Sequence, residues 1–251
     1  MTTVGKIVDI LCGFAPIETA EPWDNVGLLV GRSGAAVARV LVALDVTPEV
    51  IREAEEIGAE MIVSHHPLMF HARNRLTDAD PEGEMLLTLC EKGIALCSMH
   101  TNLDKAAGGV NDALMQAIGM ENVQGEGLLR TAQLPQGMTC DALAAQIVSG
   151  LSAQVKVYGK KSGALKKLAC CSGAGGDEVD AAIEAGADVF LTGEIKHHEA
   201  LYAMQRGICV IEAGHFETER PVTQTLAKAL QIACDAVQYN ISVFCSQVNP
   251  F

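Results

Sequence analysis

The sequence is poor in the features that would place it in a specialised class of protein. Aromatic residues make up only 4% of the 251 residues, and tryptophan occurs once. No apolar run approaches the roughly 18 residues that a membrane-spanning helix requires. The N-terminal stretch has too short an apolar core, and no clear cleavage site, for a secretory signal. With 49% hydrophobic and 20% charged residues, the composition predicts a globular protein with no membrane partner.

The cysteines lack the patterns of a disulfide framework or of a thiolate metal site. There are nine of them, an odd number, and no C-x-x-C motif occurs. Most of them lie within apolar runs, which is typical of buried thiols in a reducing compartment. The sequence therefore predicts a cytoplasmic location.

Basic residues are also few. Lys and Arg number 18 against 31 Asp and Glu, which gives a net charge of -13. Proteins that neutralise nucleic-acid phosphates are normally basic or carry a basic stripe. The nearest candidate stripe is Lys156, Lys160, Lys161, Lys166 and Lys167, which we interpret as a solvated loop and strand edge. The charge argues against nucleic acid as a partner, although a small anionic substrate remains compatible with it.

An internal repeat is the most informative feature that is present. Residues 40–66 align with residues 168–194 when Gly58 is placed on Gly186. Each copy reads as an apolar strand, a polar turn, an Ala/Glu-rich helix, a glycine at the helix end and a second apolar strand. This order is a βαβ pattern.

A third element follows each copy of the repeat. Residues 91–104 and 206–219 both predict a helix that ends at a glycine, a short buried strand, and then His-x3-Asp or His-x3-Glu. The apolar runs are continuous, as in strands that are covered on both faces. We therefore predict an α/β protein of two related halves, 1–125 and 126–251, each with a central sheet flanked by helices.

Chemically active side chains follow the predicted strands. Ligands of open α/β sheets gather beyond the carboxyl ends of the strands. The residues that follow strands 60–64, 94–98 and 208–212 include His65, His66, His100, Asp104, His215 and Glu219. Imidazole and carboxylate together are typical ligands of Zn²⁺, Mn²⁺ and Fe²⁺. The pattern favours a metal site, although a structural role for any single member remains an alternative.

The spacing of these residues suggests how they would be used. Consecutive histidines in an extended segment point to opposite sides, so His65 and His66 would suit two neighbouring ions better than one. Pro221 predicts that a helix begins around 217–220. If the preceding turn is already helical, His215 and Glu219 share a face, and one carboxylate there could bridge two ions.

Six segments in chain order carry a family resemblance. They are Glu21-Pro22-Trp23-Asp24-Asn25-Val26-Gly27-Leu28, Ser64-His65-His66-Pro67-Leu68, His100-Thr101-Asn102-Leu103-Asp104, Gly108-Gly109-Val110-Asn111-Asp112, Thr192-Gly193-Glu194-Ile195-Lys196-His197-His198 and Gly214-His215-Phe216-Glu217-Thr218-Glu219. The chain resembles the NIF-three-like family in its short bacterial form, whose members are often labelled GTP cyclohydrolase I type 2 homologues.

The resemblance implies two interlinked α/β halves, a ring-shaped homohexamer, and two divalent metal ions per chain, which could be Zn, Fe or Mn. By the family pattern, His66 and Asp104 would hold one ion and His65 and His215 the other. Glu219 would bridge the two ions, and the metal site would be built from both halves. The segment from Trp23 to Asn25 would shape the site wall, with a turn that anchors the first strand as the alternative.

The reaction implied is hydrolysis of a nucleotide or another cyclic amide-like substrate. Such a reaction needs a general acid/base, and His100 is the first candidate, before His197, His198 and Glu194. We also expect that the Gly-rich turn 173–177 is a simple tight turn. Two other functions remain open: a metal chaperone or insertion factor, and a regulatory partner-binding protein that has no turnover.

Overall fold

The computed structural model describes residues 1–159 and 163–251. Two of the lysines in the candidate basic stripe, Lys160 and Lys161, lie outside the described residues. The chain forms two compact units: unit 1 comprises Met1–Ala106 and Thr223–Phe251, and unit 2 comprises Ala107–Val222. Unit 2 is therefore inserted, in sequence, within unit 1.

Unit 1 is built on a five-stranded sheet. Its strands are β1 (Gly27–Val30), β2 (Arg39–Ala43), β3 (Met61–Ser64), β4 (Ala95–Ser98) and β10 (Ser242–Cys245). Its helices are α1 (Val4–Phe14), α2 (Pro48–Ile57), α3 (Pro81–Lys92), α4 (Thr101–Lys105) and most of α10 (Pro221–Ala236), with a short 3-10 turn at Ile17–Thr19. The strand order is β1-β4-β3-β2-β10. All neighbouring strands are parallel except β1 and β4, which are antiparallel.

Unit 2 is built on a second five-stranded sheet. Its strands are β5 (Arg130–Gln133), β6 (Lys156–Tyr158), β7 (Lys167–Cys171), β8 (Val189–Thr192) and β9 (Cys209–Glu212). Its helices are α5 (Val110–Ala117), α6 (Cys140–Leu151), α7 (Val179–Glu184), α8 (His197–Gln205) and α9 (His215–Glu219), with a 3-10 turn at Gly175–Glu178. The strand order is β5-β7-β8-β9-β6, with a parallel centre and two antiparallel edge strands.

The α/β fold class predicted from the sequence is confirmed. Each sheet contains a central trio of parallel strands, β2-β3-β4 in unit 1 and β7-β8-β9 in unit 2, as the internal repeat requires. In β3, β4 and β8 every residue is buried, because helices cover these strands on both faces.

Glycines end the helices of the repeat where the sequence placed them. Gly58, Gly93, Gly186 and Gly207 all have a positive φ. At the first of these, the chain leaves α2 in the left-handed conformation, and Ala59 N–H then donates to the Ala54 carbonyl oxygen at 2.8 Å. A residue with a Cβ would be strained in this conformation. The glycine therefore lets the chain reverse directly into β3.

The sheet registers bring the strand ends of unit 1 into line. Ala43 lies opposite Ser64, and Ser64 lies opposite Ser98. The Ser64 and Ser98 hydroxyl oxygens are 2.8 Å apart. The segments that follow β2, β3 and β4 therefore leave the sheet side by side.

The predicted boundary between residues 125 and 126 lies inside unit 2. The chain returns to unit 1 after residue 222, where β10 pairs with β2. The division into halves 1–125 and 126–251 describes the repeat, and it stays a prediction.

The cysteines are free thiols throughout. Six of the nine are buried, as the sequence predicted, whereas Cys90 is exposed. Within residues 1–159 and 163–251, every helix is too short or too polar to cross a membrane. The cytoplasmic location stays a prediction.

Candidate metal site

His65 and His66 follow β3 directly. The sequence predicted that their side chains point to opposite sides, but in the structure the two rings lie close together. Their ring centroids lie 4.8 Å apart, with the ring planes tilted by 47°. The prediction was wrong because the chain bends as it leaves the strand. The two consecutive amides donate to two consecutive carbonyl oxygens, those of Ala43 at 3.2 Å and Leu44 at 2.9 Å. In a regular strand, the amides of consecutive residues point toward opposite neighbouring strands, and the side chains alternate between the two faces of the sheet. Here both amides point toward the same neighbouring segment, so the regular strand geometry ends at Ser64.

These two histidines and His100 form a compact cluster. One ring nitrogen from each lies within 4.8 Å of those of the other two. His65 is almost fully buried, and its Nε2 lies 3.6 Å from Asp104 Oδ1. Three imidazoles and a carboxylate match the donors that Zn²⁺, Fe²⁺ and Mn²⁺ take in proteins. The residues present in unit 1 therefore fit a divalent metal ion.

The three histidines share one orientation. In each ring Nδ1 is hydrogen-bonded to an oxygen at 2.8 Å, namely His65 to the Met99 carbonyl, His66 to Asp45 Oδ1, and His100 to Asp24 Oδ1. A carbonyl or an ionised carboxylate only accepts hydrogen bonds, so Nδ1 is the N–H in each neutral ring. Nε2 then carries the lone pair that a metal or a proton would take.

Asp24, which follows the only tryptophan in the sequence, orients the His100 ring through their hydrogen bond. Its side chain is fully buried and also accepts hydrogen bonds from the Thr101 amide, at 3.0 Å, and from the Thr101 hydroxyl. Burial alone would raise the pKa of this carboxyl. The hydrogen bonds from His100 and Thr101 outweigh burial and hold the pKa well below its usual range. Asp24 is therefore an ionised anchor at the start of α4.

In unit 2, His215 and Glu219 occupy one face of α9. His215 Nε2 lies 3.1 Å from Glu219 Oε2, and Glu219 is only 4% exposed. Helical turns begin at His215, ahead of the helix that starts at Pro221. The conditional prediction that the two side chains share a face is therefore confirmed.

Gly173 allows the backbone to approach this pair closely. It has φ +58°, and a Cβ placed there would lie 2.1 Å from Glu219 Oε1 and 3.2 Å from His215 Nε2. Its amide donates to the Thr218 hydroxyl at 3.1 Å. The sequence analysis expected residues 173–177 to form a simple tight turn and did not predict that Gly173 would lie against Glu219 and His215. The repeat carries the relevant signal, because placing Gly58 on Gly186 also places Asp45 on Gly173 at the end of the first strand.

The alternative acid/base candidates separate into two groups. Glu194 Oε1 lies 3.5 Å from His215 Nδ1, which places Glu194 beside the unit 2 pair. His197 and His198 are exposed at the start of α8. In the described part of the chain, neither of them joins a group of metal-ligating side chains.

The chain is similar to known proteins over nearly its whole length. A family model described as Duf34/NIF3 (NGG1p interacting factor 3) matches residues 2–250. A protein of Clostridium perfringens called "GTP cyclohydrolase 1 type 2 homolog" is 33% identical over 250 residues, which is 95% of each chain. "Protein NIF3 homolog" of Schizosaccharomyces pombe is 35% identical over 226 residues, covering 81% of this chain and 80% of that one.

Solved structures give the same result. The crystal structure of Staphylococcus aureus protein SA1388 superposes with a TM-score of 0.95 at 31% sequence identity. The match covers 100% of this chain and 98% of that chain. Sequence and fold are therefore similar along the full length.

Proposed function

Because the chain belongs to the Duf34/NIF3 family, we propose that it binds two divalent metal ions and hydrolyses a nucleotide or another cyclic amide-like substrate. The proposed ligands are those that the sequence resemblance assigned. His65, His66, Asp104, His215 and Glu219 would together hold these ions. Zn²⁺, Fe²⁺ and Mn²⁺ all suit this set of donors.

One observation carries the proposal: the shared orientation of the unit 1 histidines. Each Nδ1 donates to a fixed oxygen, so the lone pair of each neutral ring, which coordination or proton transfer requires, is on Nε2. Second partners of this kind orient the histidines of metal sites and fix their tautomer. In unit 2, the close approach of Gly173 to Glu219 supports the same assignment.

The proposed reaction divides the work between the ions and the protein. When bound, such ions act as Lewis acids that activate water at neutral pH. His100 Nε2 accepts the proton of the attacking water, and the Asp24 carboxylate stabilises the resulting imidazolium. His100 then returns the proton to the leaving nitrogen as the C–N bond of a cyclic amidine opens. The cyclohydrolase name of the Clostridium perfringens relative supports a purine nucleotide as the substrate.

The first experiment measures metal content after purification without chelator or affinity metal. Wild-type protein is expected to hold about two equivalents per chain, and His66→Ala and Glu219→Ala are each expected to hold less. His197→Ala is the matched control, because this histidine is exposed at the start of α8. Circular dichroism checks that each variant is folded. Less than about half an equivalent in wild type, not restored by added Zn²⁺, Mn²⁺ or Fe²⁺, would contradict the metal proposal.

The second experiment tests the reaction in metal-loaded protein. GTP is incubated with wild type and with His100→Ala, and ring opening is followed by absorbance and mass spectrometry. Loss of a general acid/base is expected to slow turnover by about 100- to 10,000-fold while the metal content is retained. Equal turnover in the two proteins would remove His100 from its proposed role.

A second function is favoured by the description of the family model, which names an interacting factor. In that case the protein is a metal-handling or regulatory partner-binding protein. Full metal content with no turnover of any nucleotide, together with rapid exchange of the ions, would support this alternative over the hydrolase.

We also propose, from the family resemblance, that the chain assembles into a ring-shaped homohexamer. Light scattering coupled to size-exclusion chromatography is expected to give the mass of six chains. A monomeric mass at micromolar concentration would contradict this assembly.

A further inference from the structure

Two exposed aromatic rings lie beside His100 in unit 1. Trp23 is 59% exposed and Phe70 is 43% exposed. Their centroids are 5.7 Å apart, and they lie 6.2 Å and 6.1 Å from the His100 ring, respectively. In a chain with one tryptophan and six phenylalanines, two of these residues meet at the surface instead of packing in the core.

The backbone that carries these rings is held by its polar neighbours. Asp24 is anchored by His100 and Thr101, as described above. Asn25 Nδ2 donates to the Met69 carbonyl oxygen at 2.6 Å, which ties the segment after Trp23 to the residue before Phe70. The Glu21 amide donates to the Thr101 hydroxyl at 2.9 Å. The scaffold is therefore fixed while both aromatic side chains remain exposed.

The ring pair is continuous with the candidate metal ligands. The His100 ring lies 5.1 Å from that of His65 and 5.6 Å from that of His66, centroid to centroid. One imidazole thus separates the exposed rings from the two histidines. A flat molecule that lay on Trp23 or Phe70 would have its edge near His100, the proposed acid/base.

We propose that Trp23 and Phe70 form a stacking platform for the planar nitrogen heterocycle of the substrate. Aromatic faces attract the faces of nucleobases, whichever base is presented. The platform rests on the proposed function, because it supplies the binding of the ring that the hydrolase opens. It also assigns a role to the Trp23-Asp24-Asn25 segment: the two polar residues position the scaffold, and the tryptophan contacts the ligand.

The single tryptophan makes the platform measurable without any variant. Intrinsic fluorescence excited at the indole band reports only on Trp23. Guanosine has the purine base but no phosphate, and ribose 5-phosphate has the phosphate but no base. Saturable quenching by guanosine, and none by ribose 5-phosphate, is the expected result.

Two phenylalanine variants distinguish the loss of a stacking surface from the effect of removing any exposed phenylalanine. Phe70→Ala is expected to weaken guanosine binding about 5- to 100-fold. Phe14→Ala is the control, because Phe14 is similarly exposed at 37% and ends α1. No saturable quenching at millimolar guanosine, or equal weakening in the two variants, would overturn the platform. A change in Trp23 emission on dilution, with no response to guanosine, would also overturn it and would assign the rings to contact between copies of the chain.

The metal content of the same samples separates this proposal from the proposed function. Bound metal without guanosine binding overturns the platform alone. Guanosine binding that is lost in Phe70→Ala, in protein that binds no metal, supports the platform and contradicts the metal proposal.

Discussion

Replacing Gly173 with alanine perturbs the His215–Glu219 pair without removing either side chain. The new Cβ would lie 2.1 Å from Glu219 Oε1, whereas ordinary contact begins near 3.4 Å, so the carboxylate would have to retreat by more than 1 Å. Glu219 is only 4% exposed, which leaves it little room. Overpacking of this kind costs about 1–3 kcal/mol, and alanine at φ +58° costs about 1–2 kcal/mol more.

Gly186→Ala is the matched control for this substitution. Gly186 has a similar φ of +73°, and no heavy atom lies within 4 Å of the position its Cβ would take. The control therefore carries only the backbone cost. For a chain of this size the midpoint of thermal unfolding falls by about 2–4 °C per kcal/mol. We expect a fall of about 2–8 °C for Gly186→Ala and about 4–20 °C for Gly173→Ala.

Metal affinity provides the second measurement, made by competition with a chelating dye at a temperature where both variants are folded. Changing a residue that positions a metal ligand typically weakens metal binding about 10- to 100-fold. We expect this loss in Gly173→Ala and unchanged affinity in Gly186→Ala. Equal melting temperatures and equal affinities for the two variants would refute the reasoning. A lower melting temperature for Gly173→Ala without loss of affinity would show that the close contact is real but that Glu219 is not a ligand.

Three further substitutions or treatments have definite expected outcomes. The pKa of Asp24 is lower in the folded than in the unfolded chain, so its stabilising effect is complete above about pH 4 and is lost as the pH falls through the folded pKa. Asp24→Asn should therefore flatten the acid side of the stability profile, as measured by urea unfolding between pH 2 and 7. Asp45→Ala should weaken metal binding about 10- to 100-fold in the dye competition, because His66 loses the partner of its Nδ1, and unchanged affinity would contradict this role. Maleimide at pH 8 should label the exposed Cys90 but not Cys97, whose pKa burial raises to about 12; mass spectrometry of tryptic peptides distinguishes the two.

The repeated part of the fold could be predicted from the sequence, and the sheet edges could not. The central strands are continuous apolar runs that end at polar residues, and glycines such as Gly58 and Gly186 mark the ends of the helices between them. The edge strands β1, β5, β6 and β10 have three or four residues each, and β5, β6 and β10 contain polar residues instead of a continuous apolar run. Their pairing is decided by the sheet that they join, which is information that a local pattern does not contain.

Sequence reasoning nominated residues for the candidate site and predicted part of their geometry, namely the shared helix face of His215 and Glu219. The strand-end argument nominated His65 and His66 after β3 and, separately, His215 after β9, because ligands of open α/β sheets gather beyond the carboxyl ends of the strands. It assumed that the strand alternation continued past Ser64, which was wrong. Applied to the end of β2, the same argument would have found Asp45. What it could not give is the hydrogen bond from His100 to Asp24, which joins residues 76 positions apart in the chain.

The insertion of unit 2 within unit 1 has a consequence for the order in which the protein is made. The ribosome synthesises the whole of unit 2 before it reaches β10, the edge strand of the unit 1 sheet that pairs with β2. Until then β2 presents an open edge along which its backbone groups lack a partner strand. Truncation before Ser242 should therefore expose the edge of β2 to pairing with other chains.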